Sequence, residues 1–198
     1  LFLVDMDSPG VKITAKYNTM MGDQPCEIHF DNVEIPIEHR VGEEGEGFGL
    51  GQRFLAHGRL KHGARGVGTA QRCLDMMCTY AKQRETFGQR LSDRQAIQWL
   101  ITDTHVETQA ARLMVYNAAD MASRGQLDRT DGFIQKMYAD ELGFRAADRC
   151  MQVHGGIGLT TDLPIEQFWR QARSFRITEG PTEIMKWVIA RNILRNYD

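Results

Sequence analysis

Residues 95–118 read QAIQWLITDTHVETQAARLMVYNA, and within them Ile97, Leu100, Ile101, Thr104, Thr108, Ala111, Val115 and Ala118 recur at steps of three and four. That spacing lines one face of an α-helix over roughly six turns, a stripe that must be covered by other helices. The same period extends outward in both directions. Upstream it predicts a helix from about residue 48 to Gln83, with Leu55, Val67, Ala70, Leu74, Met77 and Ala81 turned inward and small residues at Gly63, Gly66 and Gly68 that permit close helix approach. Downstream it predicts a helix from about Thr130 to Val153, carrying Phe133, Met137, Phe144, Ala147 and Met151 and stopping at Gly155-Gly156. A shorter piece at about 164–172 and a terminal helix complete the set. Long helices joined by short turns point to an antiparallel four-helix bundle.

The bundle is preceded by a different pattern. Leu1–Val4 and Val11–Ala15 flank a Ser8-Pro9-Gly10 turn, and Cys26–Asp31 alternates, so residues 1–40 read as a partial antiparallel β domain and 41–198 as the helical domain. So few strands leave exposed edges, and the sequence opens without a methionine inside an apparent strand. The expectation is a piece of a longer chain, with the missing strands supplied upstream.

Composition narrows the function classes. With 24 Lys and Arg against 26 Asp and Glu the net charge is −2, which argues against a nucleic-acid surface or a polybasic membrane anchor. No apolar run is long enough to span a bilayer, and the opening residues are too soon interrupted for a signal peptide, so a soluble protein without membrane insertion is expected. Its compartment stays open among bacterial cytoplasm, mitochondrion and peroxisome. Cys26, Cys73, Cys78 and Cys150 include no C-x-x-C pair and read as buried thiols in a reducing compartment.

Several motifs are excluded by spacing. The acidic linker Val41–Gly49 lacks both G-x-G-x-x-G order and a P-loop lysine, no H-E-x-x-H supports a metal site, and no G-x-S-x-G elbow accompanies His154-Gly155-Gly156. Two of the remaining stretches keep two readings each. Arg84-Glu85-Thr86-Phe87-Gly88 is either a phosphate-pairing arginine beside an apolar ring or a helix end capped by Gly88. Ser92 and Gln95 form a capping box that opens the second helix. Arg59, Lys61, His62 and Arg65 are a solvated basic face or a partner for an anion.

The stretch Ile177–Ile184 places a carboxylate at a helix mouth. Pro181 suits the first helical position, which makes Gly180 the cap and Glu179 the last extended residue. Ile184, Trp187, Val188, Arg191 and Leu194 then present a mostly apolar face for burial. Glu179 and Glu183 are either first-turn acids complementing the helix dipole or, for Glu179, a positioned base.

Read in order, G-E-E-G-E-G-F, G-R-L-x-H-G-A-R-G-V-G-T-A-Q-R-C-L-D, R-E-T-F-G, Q-V-H-G-G-I-G and T-E-G-P-T-E-I resemble the acyl-CoA dehydrogenase family across essentially the whole chain. The match is to the second part of its β domain plus its C-terminal helical domain. The Gly58-Arg59 segment is most similar to the branch with longer, multidomain eukaryotic members. The resemblance implies an FAD-dependent enzyme that converts an acyl-CoA thioester to the trans-2-enoyl-CoA. It assigns Glu179 as the base, since the position used by some relatives on the first long helix is Gly58 here. It also implies cofactor contacts from Arg84, Phe87, Gln95, Gln152, Val153, His154, Gly155, Gly156, Pro181 and Glu183, and substrate-side positions at Arg59 and Gly180. Pro181 and Glu183 stand where the family has Thr and Gln, and His154 replaces a usual apolar residue. Homodimers or homotetramers and an electron-transfer flavoprotein as acceptor are implied as partners. An acyl-CoA oxidase using oxygen and a non-catalytic helical oligomerisation module are the alternatives.

Overall fold

The structure is a computed structural model that describes residues 1–195 and 197, and the chain divides into two compact units, residues 1–55 and 56–198. The first unit holds two antiparallel strands, β1 (Val11–Lys16) and β2 (Cys26–Phe30), in register from Val11↔Phe30 to Lys16↔Cys26 with an irregularity between Ile13 and Ala15. The expected strand at Leu1–Val4 is only a single bridge, Phe2↔Arg40. Cys26–Phe30 does not alternate in burial: every residue of it is exposed.

From Gly47 the chain is helical. Helix α1 (Gly47–Gln83) runs to a tight hairpin of β3 (Glu85–Thr86) and β4 (Gln89–Arg90), and α2 (Gln95–Ser123) and α3 (Arg129–His154) follow. Helices α4 (Ile165–Phe175) and α5 (Thr182–Leu194) complete the chain. Side-chain contacts fix the directions. Gln71 meets Arg112 and Glu107 meets Arg149, while Tyr80 stacks on His154, so α2 runs opposite to both α1 and α3. Trp169 reaches Asp148, Arg176 reaches Glu141 and Asn192 reaches Thr130, so α4 and α5 run one after the other against α3. The fourth member of the bundle is therefore one helical rod broken at residues 176–181.

The core explains why these segments pack. Ala70, Cys73 and Met77 of α1 meet Ala111 of α2 and Ala139, Leu142, Ala146 and Cys150 of α3, all fully buried. Small residues bring the axes together, and at Gly66 an added Cβ would lie 2.3 Å from the Ala139 carbonyl oxygen, so only glycine fits. Helix α3 starts as its sequence dictates, with the Asp128 carboxylate accepting from the Asp131 N–H, and it stops at Gly155 with φ of 63°.

Three helix-end expectations are corrected. The Ser92 capping box does not form: residues 91–93 are a 3₁₀ turn, the hydroxyl of Ser92 donates to Asp93, and α2 starts at Gln95. Gly88 does not cap α1 but pairs with Phe87 as the two positive-φ residues of the β3–β4 turn, the geometry a two-residue hairpin demands. The apolar face foreseen on α5 is outward, with Ile184, Trp187 and Leu194 exposed, while Thr182 and Met185 are buried.

Candidate functional site

At the break in the fourth rod, backbone strain, buried charge and a carboxylate coincide. Glu179 has φ of 55° and Gly180 φ of 116°, so the carboxylate is carried on a left-handed residue and not on the extended backbone expected, and the N-cap of α5 is Pro181, one residue later than foreseen. A non-glycine residue with this φ costs of order 1 kcal/mol or more and persists only where the surroundings hold it.

Helix α3 supplies the hold. The Lys136 ammonium, fully buried, donates to the carbonyls of Phe175 at 3.0 Å and Gly180 at 3.2 Å, one on each side of the break. One turn on, Glu141 accepts from Arg176 at 2.8 Å and from the Thr182 hydroxyl at 2.9 Å, again one from each side. Lys136 thus satisfies two carbonyls of the loop, and Glu141 ties together the side chains that flank it.

The Glu179 side chain turns toward α1, where Gly58 admits it: a Cβ there would lie 2.0 Å from Oε2. Around it stand buried polar groups from two helices. His62 places Nε2 3.4 Å from Glu179 Oε1 and Nδ1 3.8 Å from Asp140 Oδ2, and Asp140 pairs with Lys136 at 2.9 Å. The His62 ring is fixed edge-on to Phe175, centroids 4.8 Å apart. Arg59 lies over the Phe133 ring at 4.5 Å, and Gln135 donates to the Arg59 carbonyl at 2.9 Å. Burial lowers the pKa of His62 below its ordinary value, with Glu179 opposing and Lys136, Arg65 and Lys61 assisting. Burial likewise pushes Asp140 up to about 6, against the pull of Lys136. Burial and Arg129 depress Arg59, with Glu179 opposing. Glu179 Oε2, Arg59 Nε and Gln135 Oε1 are buried without a hydrogen-bond partner among the described residues, which marks a site with polar capacity to spare.

The other predicted residues fall into two groups. Arg59, Gly180, Pro181 and Glu183 lie with Glu179, Glu183 being exposed. Arg84, Phe87, Gln95 and Gln152–Gly156 lie at the opposite end of the bundle, where α1 and α3 finish and α2 begins. Phe87 is 98% exposed, with the Arg94 guanidinium 5.9 Å from its ring, and Arg84, Gln95 and Gln152 are also exposed. Val153 and His154 are buried, and His154 is occupied by the Cys150 carbonyl at 2.8 Å and by Tyr80, stacked at 4.3 Å. From Gly58 to Tyr80 along α1 the rise is about 33 Å, which separates the two groups within one chain.

The basic cluster of α1 divides: Arg59 and His62 are buried, while Lys61 and Arg65 are exposed. The thiols divide as well, Cys73 and Cys150 buried and Cys26 and Cys78 exposed, all four free. Periodicity missed Lys136, Asp140 and Glu141. Their signal was present, since charged residues at 136 and 140 fall on the inward stripe between Phe133 and Ala147, where an apolar residue is expected. Among the described residues no group of three or more metal-ligating side chains forms, and no helix is long and apolar enough to cross a membrane.

Comparison with known proteins bears on these two groups. Residues 45–194 match the family described as "Acyl-CoA dehydrogenase, C-terminal domain". The chain is similar to "Probable acyl-CoA dehydrogenase FadE25" of Mycobacterium tuberculosis, at 38% identity over 98% of this chain and 51% of the relative. It is similar to "Caffeyl-CoA reductase-Etf complex subunit CarC" of Acetobacterium woodii, at 34% identity over 98% and 52%. In structure it resembles butyryl-CoA dehydrogenase from Megasphaera elsdenii, with 31% identity and a TM-score of 0.88 over 98% of this chain and 51% of that one. The chain spans about half the length of these relatives.

Proposed function

Because the chain belongs to the acyl-CoA dehydrogenase family, we propose that it forms the base-bearing half of an enzyme that converts an acyl-CoA thioester to its trans-2-enoyl-CoA, with Glu179 removing the α-proton. The observation that carries this reading is the Glu179 carboxylate itself, lodged against Gly58 on a left-handed loop that Lys136 and Glu141 clamp from both sides. A general base works by position first, and a rigid mount facing one gap in a helix is such a position. The N–H groups of the Glu179-Gly180 loop are the donors we assign to the thioester carbonyl, whose developing charge must be stabilised before the α-proton becomes acidic. Arg59, held over Phe133, lines the substrate side.

FAD, when bound, supplies the acceptor for the β-hydride. The exposed Arg84, Phe87, Gln95 and Gln152 and the open Gly155-Gly156 turn fit the diphosphate and adenine half of that group, an anion with an apolar face. Val153 and His154 contribute only backbone there, because their side chains are turned into the core. The two groups lie about 33 Å apart along α1, at opposite ends of the bundle. That separation supports a reading in which the two groups serve different copies of the site, in a homodimer or homotetramer. Exposed Trp99, Val106 and Leu113, seven residues apart on α2, give an apolar stripe suited to that association. An electron-transfer flavoprotein is the proposed acceptor, by analogy with the relative whose name places it in an Etf complex.

Glu179→Gln is the test. Turnover of acyl-CoA with an artificial electron acceptor falls by ~10²–10⁴-fold if Glu179 is the base. Full turnover in that variant would overturn the assignment.

A further inference from the structure

His62 stands between two carboxylates, one of which is the proposed base, and nothing in the proton abstraction described above uses it. Its Nε2 faces Glu179 Oε1 at 3.4 Å and its Nδ1 faces Asp140 Oδ2 at 3.8 Å. The imidazole is 4% exposed, Asp140 1% and Lys136 0%, so this is an interior row of titratable groups that ends at the one partly open member, Glu179. Burying so many ionisable groups is costly, and a well-packed apolar set would serve the fold at least as well. The row is also mechanically fixed: Lys136 is anchored to two backbone carbonyls and to Asp140, and Phe175 blocks rotation of the imidazole.

We propose that His62 is the second station for the abstracted proton, which Glu179 passes to Nε2, with Asp140 the carboxylate on the far side of the ring. This inference rests on Glu179 being the base. In the step it describes, the α C–H bond breaks, its electron pair stays with the acyl thioester and an O–H bond forms on Glu179. That O–H then breaks as an N–H bond forms at His62 Nε2. Glu179 returns to a carboxylate, and His62 becomes an imidazolium flanked by Asp140 and Glu179. The groups facing the imidazole favour this order. Lys61 and Arg65 from α1 and Lys136 from α3 oppose its charge at rest, as does burial, so it waits neutral. Asp140 from α3 and Glu179 from the α4–α5 break stabilise the charge once it forms. Asp140 Oδ2, 3.8 Å from Nδ1, is beyond hydrogen-bond reach and acts on the imidazolium through its charge.

The experiment has an arm with turnover and an arm without. In the FAD-loaded protein, His62→Gln keeps an amide where Nε2 lies but cannot titrate. It lowers kcat about tenfold with KM unchanged and removes one inflection from the pH profile of kcat, tenfold being the effect of one unit of proton affinity. A His62→Gln profile that superimposes on the parent at every pH overturns the proposal. In the second arm, ¹⁵N NMR follows the His62 ring nitrogens as pH is varied, in the parent, in Glu179→Gln and in Asp140→Asn. Loss of either carboxylate moves the His62 midpoint down, by about one pH unit for Glu179. An unmoved midpoint in both variants overturns the proposal even if His62→Gln fails to fold. Should Glu179→Gln retain turnover, the base assignment falls by itself, and the NMR arm still decides whether His62 is coupled to that carboxylate.

Discussion

The two ends of one interface, that of α1 with α3, are built from opposite materials. Toward the α1 C-terminus it consists of Ala70, Cys73, Met77, Leu142, Ala146, Ala147 and Cys150, all fully buried and apolar. Toward Gly58 the same two helices bury Arg59, His62, Gln135, Lys136 and Asp140. The first half stabilises by excluding water and by close packing, at about 25 cal/mol per Å² of apolar surface removed. The second half repays desolvation only through specific pairings such as Lys136 with Asp140 and with two carbonyls. A polar set of this kind is kept where something must be held in place, and what it holds is the strained loop of Glu179. One end of the interface makes the bundle and the other makes the site.

Substitutions at each end test that division. The largest effect on stability is expected at the polar end, where Lys136→Met leaves Asp140 buried without its cation and releases both carbonyls. Unfolding by urea should report a loss of about 3–5 kcal/mol. Recovery of parent stability would mean that the pairing is dispensable and the contrast false. At the apolar end Leu142→Ala removes a fully buried side chain with little chance of collapse, and a loss of about 2–5 kcal/mol is expected. The two ends differ further in that Leu142→Ala leaves the pH dependence of stability unchanged.

That pH dependence is a sharper probe of the polar end, because its two titrating groups act in opposite senses. The pKa of Asp140 is raised to about 6 from 3.8, so between about pH 4 and 6 the unfolded chain releases this proton first, and stability falls as pH rises through the window. The pKa of His62 is lowered from 6.5, so as pH falls below that value the unfolded chain takes up its proton first, and stability falls with falling pH. The two slopes offset one another in the parent. Asp140→Asn should leave a net rise in stability from pH 4 to 6.5, and His62→Gln a net fall, whatever either does to the absolute value. Equal slopes in both variants would show that these residues do not titrate as a buried pair.

The smallest effect on stability is expected at Phe87→Ala. The ring is 98% exposed at a hairpin tip, so the midpoint of unfolding should move by less than about 0.5 kcal/mol, while affinity for FAD, read by flavin fluorescence, drops. Unchanged flavin affinity would remove Phe87 from the proposed cofactor group.

How much was legible beforehand follows the same division. The stripe through Thr104, Thr108, Ala111, Val115 and Ala118 is buried as its period requires, α1 ends at Gln83 as its period predicts, and α3 stops at Gly155. Hydrophobic periodicity could not find Lys136, Asp140 and Glu141, because it treats charge on an inward face as noise. Nor could it orient the last helix. The face Ile184, Trp187 and Leu194 is the more apolar one, yet α5 turns it outward and buries Thr182, whose hydroxyl is needed by Glu141.

Sequence alone determined the number and order of the long helices and the small residues that let α1 approach α3, because local propensity, caps and the 3.6 period are properties of neighbours along the chain, while Glu179 stood out only through the family resemblance. Tertiary structure alone decided that Glu179 is left-handed and not extended, that α4 and α5 are one rod broken around it, and that His62, Asp140 and Lys136 line up behind it. Those facts depend on groups 40 to 120 residues apart competing to satisfy the same buried carbonyls and carboxylates, as Lys136 to Gly180 and His62 to Glu179 show. Such a competition has no period for a sequence to display.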